Sequence, residues 1–501
     1  MTLGSEKPAV GRIVIVIAVV ALIVAASFIV VTVELFSPSS TASSTSSTIT
    51  PTSTSASTTS STSSQPTSTT TTASSSSYGS SSTSASSTTA TSATSSTPVT
   101  QFPSTLLTSG GEGSPSDGTT AGLFGESLAA GGAFLVVGAP NETSSGLAAA
   151  GNAYVYSSTG TLLFTLTSPA PQELGAFGWA VAVSGNVAIV GASGQNASGK
   201  LAAGDVYAYS MTTGKLLYTL SSPNAQYEGE FGGVLATSGS LLVVGAVTEN
   251  TTAGYAGRAY VYNATTGSLI GSLESPKPEF EGEFGSTVYA TPGYVIVGAQ
   301  NETANGAVGA GRVYVFGASN LALVETLTSP DAQANGEFGF SLAATGSELV
   351  VGAPFESVGG GPQIGDAYVY STASWTLLKT FSGSTATQEY PPEFGSSVAA
   401  GDGLIAVGAP YNGTVITSGT ITGGAIYVYN ATTFALIGGM TAPSASGDGY
   451  YSTEFGYAMV IGPGTLVVGD PGAVEQISAS PGYAFPGDTF IFSLDSSLPV
   501  L

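Results

Sequence analysis

The chain has no cysteine and no histidine, and only 8 lysines and arginines stand against 31 aspartates and glutamates in 501 residues. Those absences exclude a disulfide framework, a Cys/His zinc site, a thiol nucleophile and a His-based triad. A formal charge of −23 excludes a protein that grips nucleic acid through its phosphates, so no nucleic-acid partner is expected. Charged residues are 8% of the chain, against roughly 25% in an ordinary soluble domain. What is abundant is glycine, with 68 residues, and hydrophobic side chains at 42%, enough for a sizeable core.

The first hundred residues divide into two segments. Residues 13–33 are an apolar run broken only by Ser27 and Thr32. As a helix the run rises about 30 Å, the thickness of a bilayer core. It is longer than the roughly 7–15 residues of a cleaved secretory signal; cleavage near Ala25-Ala26-Ser27 is the alternative. Lys7 and Arg12 precede the run and no basic residue follows until Lys200. The positive-inside rule then places residues 1–12 in the cytoplasm, a transmembrane signal anchor at 13–36, and the remainder outside a plasma membrane. Residues 37–100 hold 49 Ser or Thr in 64 positions. Such a segment cannot bury enough surface to order itself, so 37–102 reads as a disordered, O-glycosylated stalk.

Past residue 100 the sequence repeats. A Phe-Gly pair begins at Phe124, Phe177, Phe231, Phe284, Phe338, Phe394 and Phe455, and 14 residues after each Phe a glycine closes an apolar run. An alternating aromatic triplet follows, such as YVY at 154 or FIF at 490, and then a last stretch such as TLLFTLTSP at 161–169. Four short apolar runs separated by turn residues read as four strands per unit. Such a unit cannot bury both faces alone, and seven of them arranged radially make a β-propeller. The expected fold is therefore all-β: a seven-bladed propeller of four-stranded blades over residues 103–501, with the seven Phe residues as plugs between blades. The seventh unit lacks a fourth strand; residues 104–109 and 497–501 compete to supply it and close the ring.

Phe-Gly followed at fixed distance by Gly-Ala-Pro resembles the FG-GAP repeat, in FGESLAAGGAFLVVGAP (124–140), FGFSLAATGSELVVGAP (338–354) and FGSSVAAGDGLIAVGAP (394–410). The resemblance implies a propeller of the type found in integrin α-subunits, with extracellular binding or adhesion as its role. Integrin-type blades often carry an Asp-rich calcium loop. This chain has nine Asp, never in that spacing, so no metal or other cofactor is expected in the blades.

In a four-stranded blade the 2→3 and 4→1 connections emerge on one face, here named the loop face. The 1→2 and 3→4 turns emerge on the opposite, hairpin face. Loop-face connections lengthen in the last three units and hold Tyr390, Tyr411, Tyr450, Tyr451, Tyr483 and Phe485. These rings are candidates to bind a sugar or peptide; the alternative is that they pack the loops onto the rim. Glu230, Glu283, Glu337, Glu393 and Glu454 each precede a Phe-Gly pair. They read as a cation site, a paired-carboxylate site or, as the plainer role, a repeated hydrogen bond to backbone. Carboxylates in adjacent blades are expected to stand too far apart for shared acid–base work. Seven sequons, at Asn141, Asn196, Asn250, Asn263, Asn301, Asn412 and Asn430, read as exposed glycosylation sites. The acidic composition suggests a surface whose charge falls away near pH 3.

Together these readings give a non-enzymatic surface protein that binds an extracellular glycan or protein, with a structural envelope component as the alternative. An enzyme is less favoured. YVYNATTGSLIG (260–271) is similar to hairpins of quinoprotein propellers, but those repeats use Trp, and here only Trp179 and Trp375 exist.

Overall fold

A computed structural model describes residues 104–107, 122–357, 362–383, 392–415, 421–442, 454–473, 475–477, 482–484 and 487–494. The expected cytoplasmic segment, anchor and stalk (1–102), the remnant 497–501, and Tyr390, Tyr450, Tyr451 and Phe485 lie outside the described residues.

The described residues form seven four-stranded antiparallel sheets, six of them meanders of consecutive strands and the seventh completed by a strand from the N-terminal side of the repeats. In blade 1 the order is Leu128–Gly131, Phe134–Ala139, Asn152–Ser157 and Leu162–Thr167, from inner to outer strand. The second strand is a run such as FLVVGA because both its faces are covered: Leu135 to Ala139 are all buried. Small turn residues join strands one and two, and Gly132, Gly185 and Gly239 take the positive φ those tight turns need.

Seven apolar clusters hold the blades side by side, each made from two neighbouring blades. Phe177 packs with Val136, Ala153, Val155 and Leu166 of blade 1 and with Val190 and Tyr207 of its own blade. Phe231, Phe284, Phe338, Phe394 and Phe455 repeat that arrangement around the ring. Phe124 completes it, joining blade 1 to Val467 and Ile491 of blade 7. All seven Phe side chains are 0–1% exposed. Each therefore acts as the inter-blade plug that the repeat implied, and removes about 1.5–3 kcal/mol worth of apolar surface from water.

Blades also touch backbone to backbone, which explains two of the recurrent glycines. A Cβ on Gly138 would lie 2.0 Å from the carbonyl oxygen of Gly178 in the next blade, and Gly191 stands in the same relation to Gly232. No side chain fits between them.

The ring closes through the N-terminal side. Ser104–Leu107 is the outer strand of blade 7, pairing antiparallel with Asp488–Ser493 from Ser104↔Phe492 to Leu107↔Thr489. Ser104 thus sits at the hairpin-face end of the blade.

Two features depart from the expected loops. In blade 6 the second and third strands run on as Leu404–Val415 and Ile421–Asn430, pairing again from Gly413↔Gly423 to Val415↔Ile421 after a bulge. In blade 7 a separate pair, Glu475–Ile477 and Gly482–Ala484, stands in the 2→3 connection. The lengthened connections are built partly as β-ladders, because extra residues can pair with each other rather than leave backbone groups unpaired.

Candidate binding face

The loop face is organised around the entrance to the inner strands. Glu230, Glu283, Glu337 and Glu393 hold left-handed backbone, with φ of 52°, 54°, 55° and 52°; Leu123 and Ala176 do the same at the matching position of blades 1 and 2. Such φ values are costly for residues with a Cβ. They are held by the repeated hydrogen bonds of the turn: the carbonyl of Glu230 accepts from Gly233 N–H at 3.0 Å, and that of Glu337 from Phe340 N–H at 3.0 Å. The repeated bond is therefore made by the backbone of these residues, which leaves the carboxylates for other contacts.

Those carboxylates form an arc with Glu126, which follows the first Phe-Gly pair. Burial raises the pKa of Glu126, Glu230, Glu337 and Glu393 to about 7 and of Glu454 to about 8. Repulsion from a neighbour adds to burial along the arc: Glu283 on Glu230, Glu283 and Glu393 on Glu337, and Glu126, Asp470 and Glu393 on Glu454. Burial likewise raises Glu283. Adjacent-blade carboxylates are thus close enough for their charges to repel, an interaction of longer range than shared acid–base work requires. The cause is their place at the top of the inner strands, where neighbouring blades converge. No Lys or Arg forms an ion pair with them among the described residues. Nor do three or more acidic groups there lie close enough to hold a metal ion.

Polar partners meet the arc where blade 7 adjoins blade 1 and where blade 6 adjoins blade 7. Tyr457 donates its hydroxyl to Glu126 Oε1 at 3.1 Å, and Tyr411 reaches Glu454 Oε1 at 3.5 Å. Burial and the surrounding carboxylates push the Tyr411 phenol well above its ordinary range. Of the six aromatic candidates, Tyr411 is therefore placed against the acidic arc, half-buried. Tyr483 lies in the short strand Gly482–Ala484, opposite Gln476; its side chain lies outside the described residues.

Sequence reasoning passed over a second set of polar residues beneath this face. Four residues after the glycine that closes the second strand stand Glu142, Gln195, Glu249, Glu302 and Glu356, all 0–1% exposed. Each carboxylate accepts the hydroxyl of the first ring in its aromatic triplet: Tyr154 to Glu142 at 2.5 Å, Tyr260 to Glu249 at 2.7 Å, Tyr314 to Glu302 at 2.5 Å, and Tyr368 to Glu356. A serine from the end of the preceding blade joins in. Ser222 donates to Glu249, and Ser168 to Gln195 Oε1 at 3.1 Å. In blade 7 the position is Ala473 and the ring is Phe490, which has no hydroxyl to satisfy. That paired change was the available signal. Arg258 and Arg312 approach Glu249 and Glu302 at 3.4 and 3.6 Å, whereas among the described residues no such cation serves Glu356, whose pKa burial raises to about 7.

The sequons are less uniform than expected. Asn196 and Asn250 are exposed, while Asn141, Asn263, Asn301, Asn412 and Asn430 are half-buried. Asn412 lies within a strand, and its Nδ2 donates to Tyr427 Oη at 2.6 Å. Asn263 and Asn430 end strands and use Oδ1 to cap the following turn, accepting from Thr265 and Thr266 and from Thr432 and Thr433.

The FG-GAP repeat pattern matches residues 114–156, 166–209 and 322–370. The chain carries FG-GAP repeats. They form a seven-bladed β-propeller, a fold used as a binding domain. The matched segments fall in blades 1, 2 and 4–5, and the same Phe-Gly-to-Gly interval extends the FG-GAP register through the other blades. Comparison with curated proteins gives no match.

Proposed function

We propose that the chain is a membrane-anchored, glycosylated cell-surface protein that binds or adheres to an extracellular glycan or protein through the loop face of its propeller. The observation that carries this reading is the position of Ser104. Ser104 begins the strand that closes the ring at its hairpin-face end, and the loop face lies at the other end of the strands. The loop face bears the acidic arc, Tyr411 and the two extended ladders of blades 6 and 7. A partly protonated carboxylic acid both donates and accepts hydrogen bonds, and with a neighbouring phenol it suits sugar hydroxyls or peptide backbone. We assign no catalytic residue and no cofactor to this role.

A glycan array probed with residues 101–501, which contain every strand of the ring, tests the proposal. Binding that is lost in Tyr411→Ala and in Glu454→Gln supports it. Binding that survives both changes, or no binding to glycans or to neighbouring cells, overturns it. A structural envelope role is the second reading, favoured by the apolar outer wall described next. Cells lacking the protein would then lose envelope order rather than attachment.

A further inference from the structure

The outer strand of each blade is the last in its sheet, and in blades 1 to 5 it opens with a pair of exposed apolar residues. Leu162-Leu163, Leu216-Leu217, Leu269-Ile270, Leu323-Val324 and Leu377-Leu378 are 41–50% exposed. Single exposed leucines need no explanation, but a recurrent pair beside an open strand edge does.

Charge singles out one sector of this wall. In the seven outer strands, charged residues occur only as Glu325 in blade 4 and Lys379 in blade 5. The two stand at the same height: Glu325 lies opposite Val315 and Lys379 opposite Val369, the same position of the third strand in each blade. Neither forms an ion pair among the described residues. Glu325 Oε1 accepts the N–H of Thr326 at 3.0 Å, and Lys379 is exposed. Trp375 in the blade 5 hairpin packs edge-on against Tyr294 of blade 4 at 4.9 Å, which fixes the two blades relative to each other.

Opposite charges at one height on adjacent blades are what a twofold axis parallel to the propeller axis requires. A half-turn about that axis sets blade 4 against the blade 5 of a second copy, and blade 5 against its blade 4, so two Glu–Lys pairs form together. Both copies then point their loop faces the same way, with Ser104 of each on the hairpin side. We infer that the outer wall of blades 4 and 5 is a twofold contact between two copies of this chain. Glu325 of each copy faces Lys379 of the other, and Leu323, Val324, Leu377 and Leu378 are covered between them. The inference stands apart from the ligand proposed above, since association is read with no ligand present.

The chain has no cysteine of its own, so Glu325→Cys and Lys379→Cys can be introduced singly into the full-length protein in detergent micelles. Mild oxidation of the mixed variants is expected to give a cross-linked dimer that neither variant gives alone, because only the mixed pair comes within disulfide reach. In sedimentation velocity, Glu325→Lys is expected to weaken association about tenfold, and the double exchange Glu325→Lys with Lys379→Glu to restore it. A monomer at every concentration, equal cross-linking by either variant alone, or indifference to the charge reversal overturns the inference. It also fails if a fluorophore on Leu378→Cys is quenched by brominated phosphatidylcholine in nanodiscs while the mixed variants do not cross-link, which would assign the wall to lipid.

Discussion

Tyr457 in blade 7 donates its hydroxyl to Glu126 in blade 1 at 3.1 Å, so the two ends of the repeat array meet in a phenol–carboxyl contact. The Glu126 carboxyl is half-buried and repels Glu454. Removing the phenol leaves it with one partner fewer. Tyr457→Phe is expected to cost about 1–2 kcal/mol, measured by urea unfolding. An unchanged midpoint would mean that the seam draws nothing from this contact.

Acidity should stabilise the propeller. The arc carboxyls have folded pKa values of about 7 to 8, against an ordinary 4.5. Between those values the folded state binds more protons than the unfolded one, so stability falls as pH rises. The full contribution is present below about pH 4.5 and is lost as pH passes through 7 and 8. Thermal unfolding at a series of pH values from 2 to 8 should show the melting temperature dropping by about 5 °C between pH 4.5 and 8. A maximum at neutral pH would contradict this.

Two buried glutamates should respond oppositely to the same change. Glu249 is met by Arg258 at 3.4 Å, whereas Glu356 has no cation beside it among the described residues and a pKa raised by burial to about 7. Glu249→Gln strands part of the Arg258 charge and is expected to destabilise by about 1–3 kcal/mol. Glu356→Gln removes a repelled charge, and Gln195 already occupies the matching position in blade 2. At pH 7.5 it is expected to be neutral or stabilising. Denaturation of both variants at that pH tests the contrast, and equal losses would refute it.

A plug and a backbone contact should fail by different routes. Phe231→Ala empties a site with 0% exposure between blades 2 and 3, at an expected cost of about 3–5 kcal/mol. Gly191→Ala puts a Cβ 2.0 Å from the Gly232 carbonyl oxygen, forcing the same two blades apart. Limited proteolysis should cut first between blades 2 and 3 in both variants, whereas cleavage spread evenly over the ring would argue against blade-level opening.

The fold was legible because each repeat writes the same physics seven times. Phe124 and its six counterparts mark the plug, the glycine 14 residues later marks the close backbone approach, and Ser104–Leu107 was recognisable as a fourth strand without its first three. The site was less legible. Glu230 and its counterparts were visible as a series, but their mutual repulsion depends on how closely the inner strands converge, which no spacing along the chain reports. Glu142, Glu249, Glu302 and Glu356 were hidden for another reason. They sit in connections that read as solvent-exposed turns, and their burial follows from a tyrosine about 12 residues away. The sequons misled similarly, since Asn412 lies in a strand that extends beyond its expected end.

The strand Ser104–Leu107 also determines how the ring bears load. Any pull on the chain ahead of Ser104, with the loop face held by a partner, runs along that strand towards the hairpin side. Its hydrogen bonds to Asp488–Ser493 lie across the pull, so they are strained in shear and must yield together rather than unzip one after another. The fastening that completes the circle is thereby oriented to resist tension.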